Sequence, residues 1–239
     1  MIACPCRVCH SADPHDKRLR SSVYVEHGSA RIVVDAGPDF RYQMLRAGIT
    51  DIDAILLTHE HKDHTGGIDD VRAFNYFLSK PIDIYATERV QKVIRKDFDY
   101  AFSATRYPGV PEIVLRTIDD APFRIAGAEI IPIRGRHYSL PVTGFRFGRI
   151  AYLTDFNRID DREIEKLQGI ELLVINALRY EKHISHFTVD EAIAISRRIA
   201  PRHTYLTHMS HQIGLWAEEE QKLPEGVSFA YDGLVITTE

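Results

Sequence analysis

The 239 residues suffice for one large domain or two small ones with a sizeable core, and 44% hydrophobic with 27% charged residues is an ordinary globular balance. A net charge of −4 excludes a protein that holds nucleic acid by bulk positive charge, though a small anionic substrate is compatible with it. No run of about 18 apolar residues occurs, so no membrane-spanning helix is expected. The start, MIACPCRVCH, has neither the basic beginning nor the apolar stretch of a secretory signal. All three cysteines lie in it, too few and too close for a disulfide framework, which fits a reducing cytoplasm.

In chain order, SVYVE and RIVVDAG read as a strand pair turning at Gly28. PDFRYQMLRAG reads as a helix between Pro38 and Gly48, DAILLT as a buried strand and DDVRAFNYFLS as a helix. IDIYA and ERVQKVIRKDF repeat the strand–helix order. Between Glu112 and Asp155 strands come close together: EIVLRTI, AEIIPIRG, VTGFRFG and RIAYLTD. A helix near Asp160–Leu167, the strand ELLVIN, and a helix opened by the capping box Thr188-x-x-Glu191 and closed before Pro201 follow. The strand HTYLT, a helix around QIGLWAEEEQK and strands VSFA and LVITT end the chain. The expected architecture is α/β, one domain of sheets covered by helices on their outer faces.

Three strand ends share a design. ILLT-His59, AYLT-Asp155 and TYLT-His208 each run apolar, apolar, threonine, then a side chain that can bind metal. Such residues sit at the carboxyl edge of a sheet, where α/β proteins commonly build their sites. The first end continues as LTHEHKDHTGG. His59 and His61, two apart, point the same way in extended chain and can share one ion. Asp63 and His64 diverge and can reach a second, while Gly66 and Gly67 let the backbone turn tightly into the next helix. Imidazole with carboxylate suits zinc and other first-row divalent ions, manganese and iron included.

H-x-H-x-D-H at His59, His61, Asp63 and His64 resembles the signature of the metallo-β-lactamase superfamily, and later residues match its ligand positions: His137 in RGRHYSLP, Asp155 and His208. The resemblance implies a four-layer αββα sandwich with two divalent ions at one edge. His59, His61 and His137 would hold the first, Asp63, His64 and His208 the second, and Asp155 would bridge them. Asp35, also at a strand end, is expected to orient a ligand histidine rather than bind metal. The flavodiiron branch has glutamate where this chain has His61, and the antibiotic-hydrolysing branch usually lacks a counterpart of His64. Phosphodiesters, lactones or thioesters therefore remain as substrate classes.

Cys4, Cys6 and Cys9 with the later THMSH segment resemble a narrower family, the phosphoribosyl cyclic phosphate phosphodiesterases of the carbon–phosphorus lyase pathway. That resemblance implies a structural zinc held by Cys4, Cys6, Cys9 and His211, where the residues alone leave a frayed terminus with reactive thiols as the alternative. The family carries a leading strand and a glycine-rich loop ahead of the cysteines, and this chain starts almost at them, so the sandwich is expected to lack its first strand. The two active-site ions, zinc or manganese, would make hydroxide available at neutral pH for attack on phosphorus.

His186, in HISHFTVDE, falls where the resembling enzymes place a loop histidine near substrate phosphate, a general acid or stabiliser of the leaving oxygen, with Asp63 as a second catalytic candidate. Arg72 could grip phosphate through two parallel hydrogen bonds or equally make a surface ion pair. His10, His15, His27, His183 and His203 show no site logic. The expected partner is a small cyclic or nucleotide-like phosphodiester, and a homodimer is what the resemblance suggests. A tRNA 3′-end nuclease, a lactone or thioester hydrolase and a metal-binding regulator are the competing readings.

Overall fold

The computed structural model describes residues 1–105 and 107–238. The chain divides into two compact units, Arg20–Pro132 and Met1–Leu19 with Ile133–Glu239. Both are α/β, and the sheets are mixed.

In the Arg20–Pro132 unit, β1 (Val23–His27) and β2 (Ala30–Val34) form the expected antiparallel hairpin, turning through Gly28 at φ 62°. Three parallel strands follow, β3 (Ala54–Leu56), β4 (Ile82–Ala86) and β5 (Ile113–Thr117), in the order β1-β2-β3-β4-β5. Between them run α1 (Phe40–Ala47), α2 (Lys62–Thr65), α3 (Arg72–Leu78), α4 (Glu88–Asp97) and α5 (Asp99–Phe102). Gly48 stops α1 in the left-handed conformation expected of its position. Val33, Ile55, Leu57 and Ile84 from the sheet pack with Phe40, Met44, Phe74, Val90 and Ile94 from the helices. Because β2 and β3 run parallel, their carboxyl ends bring Asp35 and Thr58-His59 to one edge, and the Asp35 N–H donates to the Leu56 carbonyl at 2.8 Å.

Two glycines allow the approach that this edge needs. A Cβ at Gly67 would stand 2.1 Å from the Gly37 carbonyl oxygen, and one at Gly37 would stand 2.1 Å from that of Asp63. Without side chains there, the Ala36 N–H reaches the His64 carbonyl and the Gly67 N–H reaches Ala36. The loop carrying Asp63 and His64 is thereby sewn onto the end of β2.

A short strand unforeseen in the sequence, β6 (Phe123–Ile125), pairs antiparallel with the start of β7 (Ala128–His137), which continues into the second unit. There β8 (Leu140–Phe147), β9 (Ile150–Leu153), β10 (Arg158–Ile159), β11 (Leu172–Asn176), β12 (His203–Thr207) and β13 (Val227–Phe229) complete the sheet order β10-β7-β8-β9-β11-β12-β13. Strands β9, β11, β12 and β13 are parallel, so the ends of β9, β11 and β12 present Asp155, Asn176 and His208 at one edge. Helix α6 (Asp161–Glu165) is short, and α7 (Val189–Ile199) carries both halves of the expected capping box, Glu191 N to Thr188 Oγ1 at 3.2 Å and Thr188 N to Glu191 Oε2 at 3.0 Å.

Two expected elements differ. The helix around QIGLWAEEEQK is broken into a 3-10 turn at His211–Ile213, α8 (Trp216–Glu219) and a second 3-10 turn, because Gly214 at φ 103° and an extended Leu215 interrupt it. LVITT forms no strand. It follows a turn closed by Leu234 N to Tyr231 O, with Val235 87% exposed and Leu234 and Ile236 half-buried, and makes no ladder with a neighbouring strand.

Candidate metal centre

In the first unit the Asp35 carboxylate is fully buried and ringed by donors. The Thr58 N–H donates to Oδ1 at 2.9 Å, the Thr58 hydroxyl donates to Oδ2 at 2.9 Å, and His64 Nδ1 lies 2.7 Å from Oδ2. This is the orienting role expected of Asp35. The single Thr58 hydroxyl proton goes to Asp35, so Oγ1 accepts from His59 Nδ1, 3.0 Å away. Both histidines therefore carry their proton on Nδ1, and the lone pair a metal ion needs sits on Nε2. His59 Nε2 stands 3.0 Å from His61 Nδ1, and Asp63 Oδ2 stands 3.6 Å from His64 Nε2. Arg72 opens α3 as expected and makes a 3.6 Å ion pair with Asp69, both side chains largely exposed.

The second unit repeats the device. His137 ends β7, and its Nδ1 lies 2.8 Å from the Ser185 carbonyl, which can only accept. The Thr154 hydroxyl donates to Asp155 Oδ2 at 2.8 Å and lies 3.3 Å from His208 Nδ1, which it can only accept from. His137 and His208 are thus also Nδ1–H tautomers. His186 Nδ1 lies 3.5 Å from Asp155 Oδ1 without a hydrogen bond, and its ring stacks on His208 at 5.0 Å. Donor atoms of His137, Asp155 and His186 all fall within 4.8 Å of one another, and all three residues are buried. Burial pushes the His186 imidazole down to about 3, against the upward pull of Asp155.

Three of these residues are among the eight described non-glycine residues with positive φ. Asp35 (φ 63°), Asp155 (φ 62°) and His208 (φ 57°) all adopt the left-handed region, uncommon for residues with a Cβ and concentrated at functional sites. Asn176 holds the second of these turns. Its Oδ1 accepts from Phe156 N at 2.7 Å and its Nδ2 donates to Phe156 O at 2.9 Å, bracketing the residue after Asp155. In the sequence Asn176 is only the polar residue that ends the apolar run ELLVIN, and that break is its one signal. His183, which shows no site logic in the sequence, has its ring 5.1 Å from that of His186. The H-x-x-H spacing was the signal there.

In the same unit, three residues beyond His208, His211 joins Cys4, Cys6 and Cys9, and the four put one donor atom each within 4.8 Å of one another. His211 Nδ1 is 3.5 Å from Cys4 Sγ and 3.4 Å from Cys6 Sγ. The Cys9 N–H, 3.4 Å away, and then His211 hold the Cys6 thiol down at about 6.

These donor sets fit metal ions. Sulfur and nitrogen on one tetrahedral zinc are about 3.6 Å apart, and two imidazole nitrogens about 3.3 Å, close to the spacings in the cysteine cluster and at His59–His61. The chain is thus an α/β protein with histidine, aspartate and cysteine clusters of metal-binding type. It belongs to the β-lactamase superfamily domain family, whose model matches residues 30–209. Its structure is similar to that of a diphosphatase from the PhnP family, at 38% identity and TM-score 0.91, covering 98% of this chain and 89% of that one. An octanoyltransferase of Porphyromonas gingivalis is 42% identical over 98% of this chain, which spans about half of that relative, 48%. A ribonuclease Z of Methanopyrus kandleri is 34% identical, with 94% of each chain covered.

Proposed function

We propose that the chain is a metal-dependent hydrolase with a dinuclear centre, cleaving a small cyclic or nucleotide-like phosphodiester, and that its two units act together as one metallo-hydrolase domain. His59, His61 and His137 hold one ion, Asp63, His64 and His208 the other, and Asp155 is shared. When bound, the ions, zinc or manganese, supply hydroxide at neutral pH by lowering the pKa of water from about 15.7 towards about 7. His186 meets the leaving oxygen as general acid or stabiliser, Asp63 assists, and Arg72 grips phosphate. Cys4, Cys6, Cys9 and His211 hold a structural zinc, which fits a reducing, cytoplasmic setting; a homodimer is the proposed assembly. No described helix is long and apolar enough to cross a membrane.

One observation carries this reading: in both units hydrogen bonds fix histidines as Nδ1–H tautomers, turning Nε2 into the available donor. The likeness to a diphosphatase directs the chemistry to phosphorus. A ribonuclease reading is favoured by the ribonuclease Z relative, and the octanoyltransferase relative keeps acyl chemistry in view. A hydrolysis panel with metal-reconstituted protein decides among them, using cyclic ribose phosphates, 2′,3′-cyclic nucleotides, linear dinucleotides, a 3′-extended tRNA, a lactone and a thioester. Turnover of the small phosphodiesters above all others is expected; exclusive turnover of the tRNA or the thioester overturns it.

A further inference from the structure

The segment Glu181–Ser185 is an exposed loop by sequence, yet side chains hold four of its five carbonyls. Arg179 donates through Nε to Glu181 O and through Nη2 to Lys182 O, each at 3.2 Å. Asn157 Nδ2 donates to Ile184 O at 2.8 Å, and His137 Nδ1 to Ser185 O at 2.8 Å. The Arg179 guanidinium is itself anchored by Gln212. All of these groups belong to the second unit. The residue presented by this clamp is His183, half-buried, with its ring 5.1 Å from that of His186.

The proton on His183 sits on the opposite nitrogen from those of the other site histidines. The Ser185 N–H donates to His183 Nδ1 at 3.3 Å, so Nδ1 is the acceptor, and the Ser185 hydroxyl lies at the same distance. A neutral His183 is therefore the Nε2–H tautomer. Among the described residues no protein group accepts from that N–H. Nε2 thus carries a lone pair in His137 and His208 and a proton in His183. An N–H at that position can donate to an oxygen acceptor.

We propose that His183 is a substrate-binding residue whose Nε2–H hydrogen-bonds a phosphoryl oxygen of the anion held at the His137–Asp155–His186–His208 cluster. The inference deepens the phosphodiesterase reading and rests on it for the identity of the anion. A rigid loop matters here because a donor held in place loses little entropy on binding.

The test measures binding of inorganic phosphate to metal-loaded protein by calorimetry, with metal content and melting temperature as companions, for wild type, His183→Ala and His183→Gln. Glutamine places an N–H near the position of Nε2 and cannot replace an imidazole as a proton carrier. His183→Ala is expected to weaken phosphate about 10- to 100-fold at unchanged metal content, and His183→Gln to restore most of it. KM for a turned-over phosphodiester should rise in the alanine variant more than kcat falls. Phosphate bound equally by wild type and alanine variant, no phosphate binding by wild type, or metal lost with the imidazole each overturns the proposal. If the phosphate result holds while wild type cleaves no phosphodiester, His183 stands and the phosphodiesterase reading falls. Phosphodiester turnover with indifferent phosphate binding has the reverse meaning.

Discussion

Asp35 in the first unit and Asp155 in the second are built alike and surrounded differently. Each follows a strand end in a left-handed conformation, and each accepts a threonine hydroxyl that in turn accepts from a histidine Nδ1. Asp35 is enclosed by a backbone N–H, that hydroxyl and His64, so its charge orients two imidazoles. Asp155 faces His186 and His208 at 3.5 and 3.3 Å, and His137 is in the same cluster. One local motif therefore occurs twice in different surroundings: amide, hydroxyl and imidazole donors satisfy Asp35, whereas beside Asp155 stands the buried His186, whose Nδ1 makes no hydrogen bond.

The sharpest break in that comparison is Asp155→Ala. Turnover should fall by more than the ~100-fold that orienting groups typically command, with loss of about one equivalent of metal by elemental analysis; a variant with full metal and near-normal turnover denies Asp155 its role. Asp35→Asn, which keeps the shape and tolerates the left-handed backbone, should cost about 10- to 100-fold in metal affinity or activity through His64 and His59. Equal damage from both substitutions would erase the distinction drawn here. Thr58→Val and Thr154→Val remove only the relaying hydroxyl, and each should weaken metal binding about tenfold by competition with a chelator. Wild-type affinity in both would show that the tautomers are set by other means. The smallest effect belongs to Arg72→Ala, a few-fold rise in KM at a melting temperature within about 4 °C of wild type, since its exposed ion pair with Asp69 carries at most about 1 kcal/mol. An unchanged KM would leave Arg72 as a surface pair alone.

Much of this was legible in the sequence, because metal ligands must be of a few residue types and must sit at strand ends. The H-x-H-x-D-H run and the apolar-Leu-Thr stretches before His59, Asp155 and His208 pointed to the sheet edges where those residues lie. Propensity and pattern could not reveal the left-handed turns at Asp35, Asp155 and His208, since each is imposed by contacts distant in sequence, such as Asn176 bracketing Phe156. The setting of His183 is hidden for the same reason: its tautomer depends on a backbone N–H two residues away, and its placement on carbonyl clamps from Arg179, Asn157 and His137. LVITT reads as a strand by composition, yet its Val235 is exposed and no ladder forms there.

Elemental analysis of freshly purified wild type beside His211→Ala tests the central claim most directly. Wild type should carry about three equivalents of transition metal, and the variant about two, the cysteine cluster having lost its ion while both ions of the centre remain. No more than one equivalent outside the cysteine cluster, in either protein and after titration with zinc and with manganese, would contradict a dinuclear centre.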